Sequence, residues 1–195
     1  QGAVMLSGAA ALHAAHRKGI VHRDLKPANI LVEIGADGGL HPYVVDFGLV
    51  WGVDGASLTA TGATVGTPSY MAPEQASMSG AAVDRRVDVY GLGATLYALL
   101  TGHPPFSGET PIDVMVRVVT ADPVAPRSIV PSLPADLETI TLKCLRKEPH
   151  LRYESARAMA DDLRRYLDGE PILARPPSLR HRLARSLRKN RAAAA

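Results

Sequence analysis

His22-Arg23-Asp24-Leu25-Lys26-Pro27-Ala28-Asn29-Ile30-Leu31 is the stretch on which this chain turns. From His22 to Asn29 it sets a carboxylate (Asp24), a cation (Lys26) and an amide oxygen (Asn29) in one short loop. Such groups accept a proton, offset negative charge and ligate a hard cation. Apolar runs flank the loop, Ile20-Val21 on one side and Ile30-Leu31-Val32 on the other, and both are expected as short strands. Gly35 to Gly39 predicts a hairpin turn, with Tyr43-Val44-Val45 as the returning strand. That layout puts Asp24, Asn29 and Asp46 near the ends of adjacent β segments, where Asn29 and Asp46 can converge on one metal.

Further out, helical spacing dominates. Met5, Ala9, Leu12 and His16 recur three and four residues apart and predict a helix to about Lys18, stopped by Gly19. Residues 48–80 are rich in Gly, Ser, Thr and Pro and predict an extended functional loop. Helices are expected over 84–101, 111–121, 134–146 and 155–167, with Ser155 as an N-cap. The apolar run 89–100 is too short to cross a bilayer and fits a buried core helix. Residues 1–16 lack charge but carry Ser7 and two His, with no basic segment before them, so they read as helix rather than signal peptide.

The 195 residues are long enough for one domain with a sizeable core, and 46% hydrophobic with 21% charged residues fits a globular protein. The one cysteine, Cys144, excludes an internal disulfide and is expected as a small buried apolar residue. The net charge of +3 is uneven: residues 175–191 hold seven Lys or Arg and no acid, which leaves the remainder at −4. A mildly acidic body with a basic tail gives no sign of nucleic-acid binding, despite a pI near 9.2.

Two more motifs follow in order, Asp46-Phe47-Gly48 and Ala72-Pro73-Glu74. Together with the loop they resemble the catalytic loop, metal loop and activation-segment end of the eukaryotic-type (Hanks-type) serine/threonine protein kinases, especially their bacterial members. The resemblance covers about residues 2–168 and only the C-terminal lobe of that fold. It implies a mainly α architecture with short β hairpins, within an α+β family. It also implies transfer of the ATP γ-phosphoryl group to Ser or Thr hydroxyls of proteins, with ATP and Mg²⁺ at the site.

Under that resemblance Asp24 orients the substrate hydroxyl and takes its proton. Lys26 sits near the γ-phosphate and marks the serine/threonine-specific form, and Asn29 and Asp46 ligate Mg²⁺. Thr67 matches the threonine that contacts the catalytic Asp and Lys. Asp88 matches the buried helix aspartate that holds the catalytic-loop backbone. Arg152 matches the arginine that pairs with Glu74, and His22 and Phe47 match two members of a stacked spine. Arg23 matches an arginine that binds phosphate on the activation segment, and Thr59 and Thr61 resemble autophosphorylated threonines of bacterial relatives.

No Gly-x-Gly-x-x-Gly precedes residue 22, so the sequence is expected to be a fragment lacking the ATP-binding N-terminal lobe and inactive alone. The expected division is 1–168 as partial kinase domain and 169–195 as a basic linker. In 179–191, Leu179, Leu183 and Leu187 share a helical face with cations elsewhere, a pattern suited to an anionic membrane surface. Gly169-Glu170-Pro171-Ile172 resembles the junction ahead of a membrane anchor in bacterial relatives, which implies a cytoplasmic kinase domain with the parent protein anchored to the inner membrane. Two rivals stand beside this reading. A small-molecule phosphotransferase is opposed by Arg23, Lys26 and the long segment ending at Glu74. A non-catalytic pseudokinase binding module is opposed by intact Asp24, Lys26, Asn29 and Asp46.

Overall fold

A computed structural model describes residues 2–36, 38–47, 68–77 and 83–175. Its centre is helix α3 (Arg86–Thr101), in which all but Arg86, Ala98 and Leu99 are buried. The other helices, in chain order, are α1 (Gly2–His16), α2 (Pro73–Ala76), α4 (Pro111–Thr120), α5 (Pro126–Ile129), α6 (Ala135–Cys144) and α7 (Ala156–Leu167). A helix apolar on every side has to sit inside its fold. Tyr90, Leu92 and Leu96 of α3 are fully buried, and each side chain of that size contributes about 1.5–3 kcal/mol on leaving water.

Around α3 the main core joins Met5, Ala9 and Leu12 of α1 to Ile140 of α6 and Met159 and Leu163 of α7. α1 packs chiefly on α7, and α6 lies against α3. Gly93 sets that last contact, since a Cβ there would fall 2.3 Å from Cys144 Cβ. Ser155 does cap α7, its Oγ accepting from the Ala158 N–H at 3.2 Å. Thr110 caps α4 in the same way, accepting from the Asp113 N–H.

The β structure among the described residues is one antiparallel hairpin, β1 (Ile30–Ile34) with β2 (Leu40–Val44), registered Ile30 to Val44 and Ile34 to Leu40. Its turn closes from the Gly35 N–H to the Gly39 carbonyl, where the glycines predicted it. One expected strand does not form. Ile20 donates its N–H to Ala15 at the end of α1, and His22 donates to a side chain of α3. With those donors taken, Ile20-Val21 pairs with no strand among the described residues. α5 and the short α2 were not expected; at four residues each they are too short to show periodicity.

After α7 the chain stays on the body through Ala174. Asp162, buried on α7, accepts from the Leu173 and Ala174 N–H groups at 2.7 and 2.9 Å and from the Tyr153 hydroxyl at 2.8 Å. No helix of the described residues is long and apolar enough to cross a membrane. Residues 179–191 lie outside those described.

Candidate active site

The loop from His22 to Asn29 is held from below by one carboxylate. Asp88, on the first turn of α3 and 1% exposed, accepts the His22 N–H on Oδ2 and the Arg23 N–H on Oδ1, both at 2.8 Å. The His16 imidazole Nε2 lies 2.7 Å from the same Oδ2. An unpartnered carboxylate at that depth costs several kcal/mol, and these contacts offset it. They also hold Arg23 at φ +67°, a conformation that costs a non-glycine residue about 1–3 kcal/mol and persists only where neighbours enforce it. Gly91, one turn along α3, lets the loop settle: a Cβ there would meet Leu25 Cβ at 2.9 Å and Leu25 O at 3.1 Å.

His22 ties this loop to the end of the hairpin. Its Nε2 lies 2.8 Å from the Val45 carbonyl, and its Nδ1 accepts from the Asp24 N–H at 3.3 Å. A carbonyl only accepts and an amide N–H only donates, so the ring is the Nε2–H tautomer. The ring is fully buried and tilts against Phe47, centroids 4.8 Å apart. The Val45 N–H returns a bond to the Asn29 carbonyl at 3.0 Å. Asp46, next in sequence and exposed, is thereby fixed beside Asn29 at φ +57°.

Above this framework stand the polar side chains. Asn29, 5% exposed, donates Nδ2 to the Asp24 carbonyl at 2.8 Å, and a pinned amide nitrogen leaves Oδ1 as the atom that could meet a cation. Lys26 donates Nζ to Asp24 Oδ2 at 2.8 Å, and the Asp24 side chain keeps 41% of its surface. The described residues hold no cluster of three or more His, Cys, Asp or Glu. One carboxylate and one amide oxygen still suit Mg²⁺, which commonly keeps several waters and phosphate oxygens in its shell. Asp24, Lys26 and Asn29 are therefore brought together on one loop, and Asp46 follows Val45, whose backbone bonds Asn29 and His22 of that loop.

Glu74 and Arg152 meet near the start of α3. The guanidinium grips the carboxylate with two bonds, Nη1 to Oε1 at 2.6 Å and Nη2 to Oε2 at 2.7 Å. Its remaining donors reach the carbonyls of Arg86, Lys147 and Arg146, and it stacks over Tyr90. Arg23 points an exposed side chain from the loop. Gly48, Thr59, Thr61 and Thr67 lie outside the described residues. Cys144 is fully buried, and burial pushes its thiol well up, so it is not a nucleophile at neutral pH.

The sequence profile described as protein kinase domain matches residues 2–163. The chain belongs to the protein kinase family. It is 44% identical over 170 residues to serine/threonine-protein kinase PknB of Mycobacterium tuberculosis, covering 86% of this chain and 26% of that protein. It is 43% identical over 164 residues to the probable serine/threonine-protein kinase SCO3848 of Streptomyces coelicolor, covering 83% and 24%. The chain thus spans about a quarter of the length of these relatives. Among solved structures it resembles Rad53 1-466 in complex with AMP-PNP, with a TM-score of 0.64 and 26% identity over 82% of this chain and 38% of that one. The kinase fold expected from the three motifs is the fold observed.

This kinase chain also uses residues that its motifs do not single out. His16 enters the sequence pattern only as one residue of a helix face, yet it is a partner of Asp88. Gly91 sits in an ordinary helical run, and only packing shows that the catalytic loop needs it small.

Proposed function

We propose that this chain carries the catalytic loop of a serine/threonine protein kinase, which transfers the γ-phosphoryl group of ATP to a protein hydroxyl. The observation that supports this most is the placing of Asp24: its backbone is fixed on both sides, Lys26 lies 2.8 Å away, and its carboxylate is open to solvent. A carboxylate so held can receive a substrate hydroxyl, orient its oxygen toward the γ-phosphorus and take its proton as the new P–O bond forms. The bond to the bridging oxygen breaks and ADP leaves. During the transfer Lys26 shifts from Asp24 toward the moving phosphoryl group and offsets its charge. Asn29 Oδ1 and the Asp46 carboxylate would hold Mg²⁺, which would supply charge neutralisation to the phosphates.

The test is transfer of labelled phosphate to a protein substrate by the intact protein. Asp24→Asn should lower the rate about 10²–10⁴-fold. Asp46→Ala should raise the Mg²⁺ concentration needed for turnover. Turnover of a small alcohol but no protein substrate would favour the small-molecule phosphotransferase. No turnover at all, with binding partners intact, would favour the pseudokinase.

Two finer readings belong with this one. Arg23 is exposed beside Asp24, and phosphate on Thr59 or Thr61 would give its guanidinium a partner and activate the enzyme. Mass spectrometry of active enzyme should find one of these threonines modified, and the Thr59→Ala/Thr61→Ala double variant should be weakly active. With residues 1–168 as the partial kinase domain and 169–195 as a basic linker, the cations of 179–191 would bind an anionic membrane surface. Removing it should abolish sedimentation with phosphatidylserine vesicles, and an unchanged bound fraction would refute the idea.

A further inference from the structure

Arg23 is held through both of the peptide groups that flank it. Asp88 takes the Arg23 N–H from below. From the opposite side the Arg23 carbonyl accepts a bond from Gln75 Nε2 at 2.8 Å. Gln75 follows Ala72-Pro73-Glu74 directly and lies fifty-two residues from Arg23 in sequence. Its other amide atom is also engaged, since Oε1 accepts the Ala72 N–H at 3.1 Å. The partners fix the orientation of the amide, because a carbonyl can only accept and a backbone N–H can only donate. One side chain therefore needs a donor and an acceptor at once. Glutamine has both, and glutamate has the same shape without the donor.

We propose that Gln75 is a positioning residue for Asp24. It couples the end of the segment that closes at Glu74 to the strained peptide ahead of the catalytic carboxylate. When the Ala72–Gln75 turn is docked, Arg23 is held at φ +67° and Asp24 faces the substrate hydroxyl. When the turn is displaced, the carbonyl loses its donor and Asp24 loses its aim. Order in the segment is thus passed to the reacting group through a single amide. This inference rests on the kinase reading of Asp24, but the contact itself does not.

The discriminating variant is Gln75→Glu in the intact protein. It keeps the acceptor for the Ala72 N–H and sets a carboxylate oxygen against the Arg23 carbonyl. Gln75→Ala removes both bonds and serves as the second variant. Two readouts are needed. The first is the split of kcat from KM for ATP: Gln75→Glu should lower kcat about tenfold and leave KM for ATP and the melting temperature near wild type. The second is amide hydrogen exchange, in which the Arg23 N–H should exchange at least about tenfold faster while amides of α3 do not change. Unchanged kcat and unchanged Arg23 exchange in both variants would overturn the proposal, as would a loss of kcat that merely follows a loss of folded protein. If the wild type transfers no phosphate, or Asp24→Asn transfers as well as wild type, the kinase reading fails instead. The exchange measurement then still decides whether Gln75 fixes the loop.

Discussion

Asp88 and Asp24 carry the same side chain, are bound to the same loop and do opposite things with their charge. Asp88 is buried beneath the loop, with both oxygens engaged by His22, Arg23 and His16. Asp24 stands above it, half-exposed, with Lys26 on one oxygen. The first uses its charge to hold backbone, and the second, in the function proposed above, keeps it available for a reacting hydroxyl. Burial makes the difference. A carboxylate out of water must be saturated by its neighbours, so it is structural, whereas a half-exposed one can exchange its partner for substrate.

That contrast can be broken by mutation. The largest expected effect is on stability, from Asp88→Ala. It strands two backbone N–H groups and an imidazole, and should cost about 3–5 kcal/mol in denaturant unfolding. Asp24→Asn should leave the unfolding midpoint within about 0.5 kcal/mol of wild type while lowering phosphotransfer. If it unfolds as readily as Asp88→Ala, the two carboxylates are not different in kind. Gly91→Ala lies between them, pushing Leu25 up from α3. Overpacking of this sort costs about 1–3 kcal/mol, and because Leu25 adjoins Asp24 the rate should fall as well. Ser155→Ala, far from both carboxylates, should cost about 1 kcal/mol in stability with kcat unchanged.

Smallest of all is the exposed pair Asp84–Arg86. The Arg86 guanidinium holds the Asp84 carboxyl below its ordinary value. Its pKa is therefore lower folded than unfolded, so its stabilisation is present at neutral pH and is lost as pH falls below about 4. Because Asp84 is 46% exposed, that stabilisation stays under about 1 kcal/mol. Acid titration of Asp84→Asn against wild type should show the two stability curves converge there.

The five long helices were legible because three- and four-residue spacing, Pro and Gly stops and the Ser155 cap are local signals. The hairpin was legible from its glycines. Ile20-Val21 was misread because an apolar pair does not reveal where its backbone donors go, and here they go to α1 and to Asp88. The residues of the catalytic loop could be named because their types and spacing carry the chemistry. The supports of that loop from outside its motifs, His16, Gly91 and Gln75, could not, because their partners lie more than fifty residues away in the chain.

Sequence alone determined the family, the order of helices and which side chains could react, since each is written in neighbours a few residues apart. Only the tertiary structure decided how those side chains are aimed. Asp88 meets His22 across sixty-six residues, and Arg152 meets Glu74 across seventy-eight. Contacts at such separations exist only once α3 is buried, when carboxylates and amides that have lost water must find one another.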